Sequence, residues 1–164
     1  MKKPILRRPA KALQPDAQAW LDLIQIAAKM GIRPSGRSAL GANLLLPLRG
    51  NANDKGTAFA GSVYSAMVLR GWLAVRTLLD SEGLRAPIVI KDAHIEYRYP
   101  ALNDGIATCI RPPRSLIKGF LTALRSGGNA RICLRVEFRS AGKKAAAFEG
   151  LYVALGKGKK KEGR

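Results

Sequence analysis

A chain of 164 residues supports one domain that buries roughly 68–70% of its unfolded surface, and 47% hydrophobic residues exclude an intrinsically disordered chain. Two cysteines, Cys109 and Cys133, each inside an apolar segment, exclude a disulfide framework or a zinc cluster and read as buried thiols of a reducing cytoplasm. The net charge is +18, and half of it sits in two basic tails, residues 1–15 and 157–164, that flank a body spanning 16–156.

The opening "MKKPILRRPAKALQPDA" has no apolar centre of signal-peptide length, and the longest apolar run is interrupted at Arg70, short of a membrane span. The chain therefore reads as soluble and cytoplasmic. Over residues 16–30, Trp20, Leu23, Ile24, Ala27 and Ala28 form a helical stripe between Asp16 and Gly31. "SALGANLLLPLRG" (38–50) reads as a strand ending near Pro47. From Phe59 to Leu79 the chain is apolar on nearly every side, which predicts a buried helix, closed by "SEGLRAP". "PIVIKDAHIEYRYP" (87–100) alternates Ala93, Ile95, Tyr97 and Tyr99 against Asp92, His94, Glu96 and Arg98, a half-buried strand. Residues 105–112 form another strand, 113–128 an amphipathic helix, and 130–140 with 145–157 a long hairpin across "AGKK". One buried helix with four or more long antiparallel strands predicts an α+β fold, its curved sheet wrapped around that helix.

The stretch "NANDKGTAFAGS" (51–62) bears on chemistry. From Gly56 to Gly61 it fits a phosphate-binding loop in spacing, but Ser62 stands where that loop needs lysine, which excludes nucleotide hydrolysis. A helix starting near Phe59 leaves its first amides unpaired, with about half a positive charge at that end. Ala60 and Gly61 have little or no side chain, so a carbonyl oxygen can approach those donors closely.

"N-x-N-D-K-G-T-x-F-x-G-S" before the buried helix, and "DAHIEYRYP" on the strand after it, resemble the hotdog fold, and within it the thioesterase-like family whose domain also occurs fused behind bacterial acetyltransferase domains. The likeness spans residues 17–156. It implies a homodimer joined sheet edge to sheet edge, with pairing into a tetramer left open, and acyl-thioester sites at the subunit interface. It also implies an acyl-CoA or acyl-carrier-protein substrate, with coenzyme A entering only as part of that substrate and no separate cofactor or metal. In related thioesterases with an N-x-x-G-x-x-H-G-G turn, the asparagine positions substrate and an amide after the histidine polarises the carbonyl. Asn53 matches that asparagine and Gly56 and Gly61 match glycines, while Phe59 replaces the histidine and Ala60 the first paired glycine. The resemblance thus implies catalytic roles for Asn53, Ala60 and Gly61. Asp54, beside Asn53 in the turn, is the nearest candidate base, and Lys55, Gly56, Thr57, Phe59, Ser62 and Ser65 are candidate substrate contacts.

One departure matters: the acid expected on the helix seven residues beyond the second glycine is Val68, which cannot be a general base. Asp54, or else Asp92, then serves as the base, or the protein binds thioesters without cleaving them. His94, the only histidine, lacks partners for a metal site, and Ser65 lacks a histidine to activate it. Gly71 beside Trp72 reads as a close-packing point, and Lys55, Arg111 and Arg114 as cations suited to coenzyme A phosphates. Nucleic-acid binding through the tails is the weakest reading, because no basic strand face carries interleaved aromatics.

Overall fold

The computed structural model describes residues 16–157, so the basic tails, Lys157 apart, lie outside the described residues. Six strands form one antiparallel sheet: β1 (Arg33–Ser38), β2 (Gly41–Leu46), β3 (Ile88–Tyr97), β4 (Gly105–Ile110), β5 (Ala130–Ser140) and β6 (Lys143–Ala154). Their order across the sheet is β1-β2-β4-β5-β6-β3. The sheet curves around α3 (Ala60–Ser81), which touches β2, β3, β4, β5 and β6. Two short helices, α1 (Ala17–Asp22) and α2 (Gln25–Lys29), precede the sheet, and α4 (Arg114–Arg125) joins β4 to β5. The α+β architecture expected from the sequence is the one observed.

Alternation explains the central strands. Ile132, Leu134, Val136 and Phe138 of β5 are buried, while Arg131, Cys133, Arg135 and Arg139, which alternate with them, are exposed. Of the two thiols expected to be buried, Cys109 is and Cys133 is not, because it falls on the outer face of β5. Phe148 and Tyr152 of β6 lie on the same inner face, opposite Val136 and Ile132. Against them α3 packs Met67, Leu73 and Leu79, each almost fully buried and each stabilising the fold by about 1.5–3 kcal/mol. The helix ends in a Schellman turn: Gly83, at φ +65°, donates to the Asp80 carbonyl, and Leu84 donates to Leu79.

Two details differ from expectation. The helix predicted over 16–30 breaks at Leu23–Ile24, where Ile24 is extended and Leu23 is 73% exposed. Breaking there buries both Leu21 and Ala27, and turns the Trp20 ring against Trp72 and under the Arg76 guanidinium. The second is β1, "RPSGRS", a strand that the sequence pattern does not predict. Its proline, glycine and bulge between Ser35 and Arg37 are tolerated because it is an edge strand with one neighbour. No helix among the described residues is long and apolar enough to cross a membrane.

Candidate active site

The turn entering α3 is fastened by two asparagines. Asn51 is buried and donates its side-chain amide to the carbonyls of Met30, at 2.7 Å, and Pro47, at 2.9 Å. Its own carbonyl accepts the Phe59 amide at 2.7 Å, which fixes where the helix begins. Asn53 closes the turn on itself. Its Oδ1 accepts the amides of Lys55 (2.9 Å) and Thr57 (3.1 Å), and its Nδ2 donates to Thr57 Oγ1 at 2.9 Å. A short side-chain amide does this readily, because it mimics the backbone of a turn.

Beside this turn lies a cleft of about 320 Å³. Asn53, Thr57, Ala60 and Val63 form one wall, and Tyr97, Arg98 and Tyr99, at the end of β3 and just beyond it, form the other. Ala60 is the first helical residue, and Phe59 caps the helix without a side-chain hydrogen bond. The Ser62 and Val63 amides already turn back to the Phe59 carbonyl. Neither the Ala60 nor the Gly61 amide finds an acceptor among the described residues. Two unmet donors at the positive end of a 22-residue helix can receive a developing oxyanion.

The other expected residues fall as follows. Asp54 and Lys55 are paired with each other at 2.7 Å at the exposed tip of the turn, with Gly56 (φ +73°) behind them. None of these three lines the cleft. Phe59 is 55% exposed and lays its ring over Gly61. Ser62 is buried, and the Ser65 hydroxyl donates to the Gly61 carbonyl at 2.9 Å. Val68 is partly buried against the core. Asp92 and His94 lie on the outer sheet face, where His94 stands opposite Glu149 in the ladder. Arg111 lines a separate groove at the start of α4, and Arg114 is exposed on that helix.

Tyr97, Arg98 and Tyr99 are cleft residues to which the sequence pattern assigns no role in the site. Alternation had turned both tyrosines toward the core, yet Tyr97 is 49% and Tyr99 58% exposed. The signal was present in "EYRYP", two aromatics and a cation closing an edge strand. The Tyr97 hydroxyl donates to the Ala60 carbonyl at 2.8 Å, joining β3 to the mouth of α3. Burial, with a smaller push from Tyr64, raises the Tyr97 phenol above its ordinary pKa, so it remains a donor. Arg98 pairs with Glu96 at 2.7 Å, and this hydrogen bond holds the Glu96 carboxyl below its usual range. No carboxylate or histidine is among the described residues that line the cleft.

A curved antiparallel sheet around one long helix, with a cleft at the helix N-terminus, defines a hotdog-fold protein. Residues 13–156 match the family described as "Putative thioesterase (yiiD_Cterm)", and the chain belongs to that family. Among solved structures it is similar to the putative thioesterase from Shewanella oneidensis, with 32% identity, 85% of this chain and 94% of that one covered, and a TM-score of 0.76. It is also similar to a protein of unknown function from Chlorobaculum tepidum, with 27% identity, 85% and 91% coverage and a TM-score of 0.80. A protein from Pseudomonas aeruginosa described as a probable thioesterase shares the fold at 23% identity, 82% and 89% coverage and a TM-score of 0.70.

Proposed function

We propose that this protein hydrolyses acyl-CoA or acyl-carrier-protein thioesters in the cleft between the α3 N-terminus and the end of β3. The reading is carried by the unpaired amides of Ala60, which lines the cleft, and of Gly61, the next residue on α3. The thioester carbonyl oxygen rests against them. As water adds, the growing negative charge on that oxygen is held by donors that need no rearrangement, each worth on the order of 2.7–4 kcal/mol. Asn53 keeps one Nδ2 hydrogen beyond its bond to Thr57 and orients the substrate from the cleft wall. No carboxylate is among the described residues that line the cleft, and in this reading a second copy of the chain, in a homodimer, supplies the rest of the site. β3 is the sheet edge beside the cleft, and pairing it with the β3 of a second copy extends the sheet and encloses the cleft.

Steady-state kinetics over a panel of acyl-CoA chain lengths and acylated carrier proteins test this. Asn53→Ala is expected to lower kcat/KM by at least about tenfold, from the loss of an orienting hydrogen bond and of the turn's geometry. Equal turnover by wild type and Asn53→Ala would remove this cleft as the site. That the described residues lining the cleft include no acid or histidine favours a second reading, a protein that binds thioesters without cleaving them. Calorimetry showing acyl-CoA binding, with no free thiol accumulating, is its signature.

A further inference from the structure

We infer that Tyr97 is a positioning residue for this site: its hydroxyl polarises the peptide group that supplies one of the two oxyanion donors. The inference rests on the thioester reading of the cleft and adds a residue to it. The carbonyl of Ala60 and the N–H of Gly61 belong to one peptide unit. Tyr97 donates to that carbonyl at 2.8 Å, and the Gly61 N–H at the other end of the unit has no acceptor among the described residues. A hydrogen bond received at a peptide oxygen draws electron density toward it and makes the attached N–H a stronger donor, by roughly 10–30% per bond in condensed-phase estimates.

Ser65 gives a useful contrast. Its hydroxyl donates to the next carbonyl, that of Gly61, at 2.9 Å. The N–H of that next unit belongs to Ser62 and is already bound to the Phe59 carbonyl at 3.0 Å. The Ser65 bond therefore feeds an occupied donor, whereas the Tyr97 bond feeds an open one beside the cleft.

The same bond also sets geometry. Tyr97 ends the edge strand β3, 37 residues from Ala60, and its hydroxyl makes a side-chain hydrogen bond from that strand to the first turn of α3. On the opposite side of the unit, the Phe59 ring lies over Gly61. The hydrogen bond at the peptide oxygen thus sets the direction of the N–H, with the Phe59 ring resting beside the α-carbon. The phenol, raised above its ordinary pKa chiefly by burial, keeps its proton through the neutral range.

The test uses the full-length protein, with Tyr97→Phe and a series of fluorotyrosines of falling phenol pKa at position 97. Tyr97→Phe keeps the ring, and the side chain is half exposed, so the fold tolerates the change. The expected result is a fall in kcat of about three- to tenfold with KM held within about twofold, the loss of one neutral hydrogen bond felt in the transition state. The fluorotyrosines, as stronger donors, are expected to raise kcat progressively at pH values where each phenol is still protonated. In ¹⁵N-labelled protein, the Gly61 amide nitrogen is expected to move upfield in Tyr97→Phe. An unchanged kcat, a change confined to KM, or an unmoved Gly61 resonance overturns the inference. A wild-type protein without turnover removes the hydrolysis reading alone. The Gly61 resonance then decides the polarisation by itself: moved, it stands, and unmoved, it falls.

Discussion

Tyr152 of β6 is wedged into α3 at Gly71, and its hydroxyl donates to the carbonyl of Val68 at 2.8 Å. The residue at position 71 has no room for a side chain, since a β-carbon there would stand 2.5 Å from the Tyr152 ring carbon Cζ. Tyr152 is fully buried, so its hydroxyl needs this partner. Gly71→Ala is expected to destabilise the protein by about 1–3 kcal/mol through overpacking, and Tyr152→Phe by about 0.5–1.5 kcal/mol through the lost hydrogen bond. Urea denaturation of both variants measures this. A Gly71→Ala protein as stable as wild type would mean that α3 and β6 can part without cost.

Arg70, in the middle of α3, is the largest fully buried side chain. One Nη donates to the Ser38 hydroxyl at 2.6 Å and to the Leu40 carbonyl at 3.1 Å, while Nε and the other Nη have no partner among the described residues. Burial pushes its pKa down, as expected for a cation held away from water. Its removal relieves a desolvation cost of several kcal/mol against the loss of two hydrogen bonds. Arg70→Met is therefore expected to leave the melting temperature unchanged or raise it. Ser38→Ala, which strips a partner from a charge that stays buried, is expected to cost about 1–3 kcal/mol. Calorimetry on the two single variants and the double variant tests this. The Arg70→Met background should erase the part of the Ser38 effect that runs through Arg70 and leave the part owed to the hydroxyl's bond to the Gly41 carbonyl.

These two interior features also mark what local pattern conveys. The unbroken apolar run from Phe59 to Leu79 announces a helix buried on nearly all sides, and Gly71 announces close packing, because both are properties of the residues themselves. β1 is absent from any such reading, because "RPSGRS" has neither alternation nor β-branched residues, and its pairing with β2 depends on where the chain returns. The cleft divides in the same way. Asn53 and the small residues at 60 and 61 are contiguous and visible as a turn before a helix. Tyr97 joins them from 37 residues away. Alternation places it on the helix-facing side with Ala93 and Ile95, but that this side opens to solvent at the end of an edge strand depends on the tertiary fold. Asp54 is adjacent in sequence to Asn53, yet its carboxylate turns to Lys55 at the exposed tip. Adjacency along the chain does not carry a side chain into a cleft.

Acid stability has a definable contributor in Glu137 on β5. Its carboxyl is held below the usual range chiefly by the hydrogen bond from Lys144, with help from Arg139. A carboxylate whose folded pKa is depressed stabilises the fold above its unfolded value, about 4.3, and loses that contribution as pH falls through the folded value. Glu137→Gln is therefore expected to be less stable than wild type at neutral pH and to show a shallower decline below about pH 4. Thermal melts from pH 3 to 7 give the comparison, and parallel curves for the two proteins would exclude the contribution.

The first turn of α3 allows stability and activity to be separated at a single residue. A β-carbon added at Gly61 would stand 2.5 Å from Cε1 of Phe59, the far end of a flexible ring that is 55% exposed. That ring can swing toward solvent at little cost, and alanine is favoured over glycine inside a helix by up to about 1 kcal/mol. Gly61→Ala is accordingly expected to melt at or above the wild-type temperature. Its new methyl group sits beside the unpaired Ala60 and Gly61 amides, so the approach of a carbonyl oxygen is obstructed. The expected kcat/KM on acyl-CoA is lower by at least about tenfold, since misplacement on the ångström scale at an oxyanion site is costly. Phe59→Ala in the same background separates the two effects. It takes away the ring that must move but leaves the methyl group in place, so activity should stay low while the melting temperature holds. Recovery of turnover in that double variant would show that the displaced ring, and not the methyl group beside the amides, had blocked the cleft.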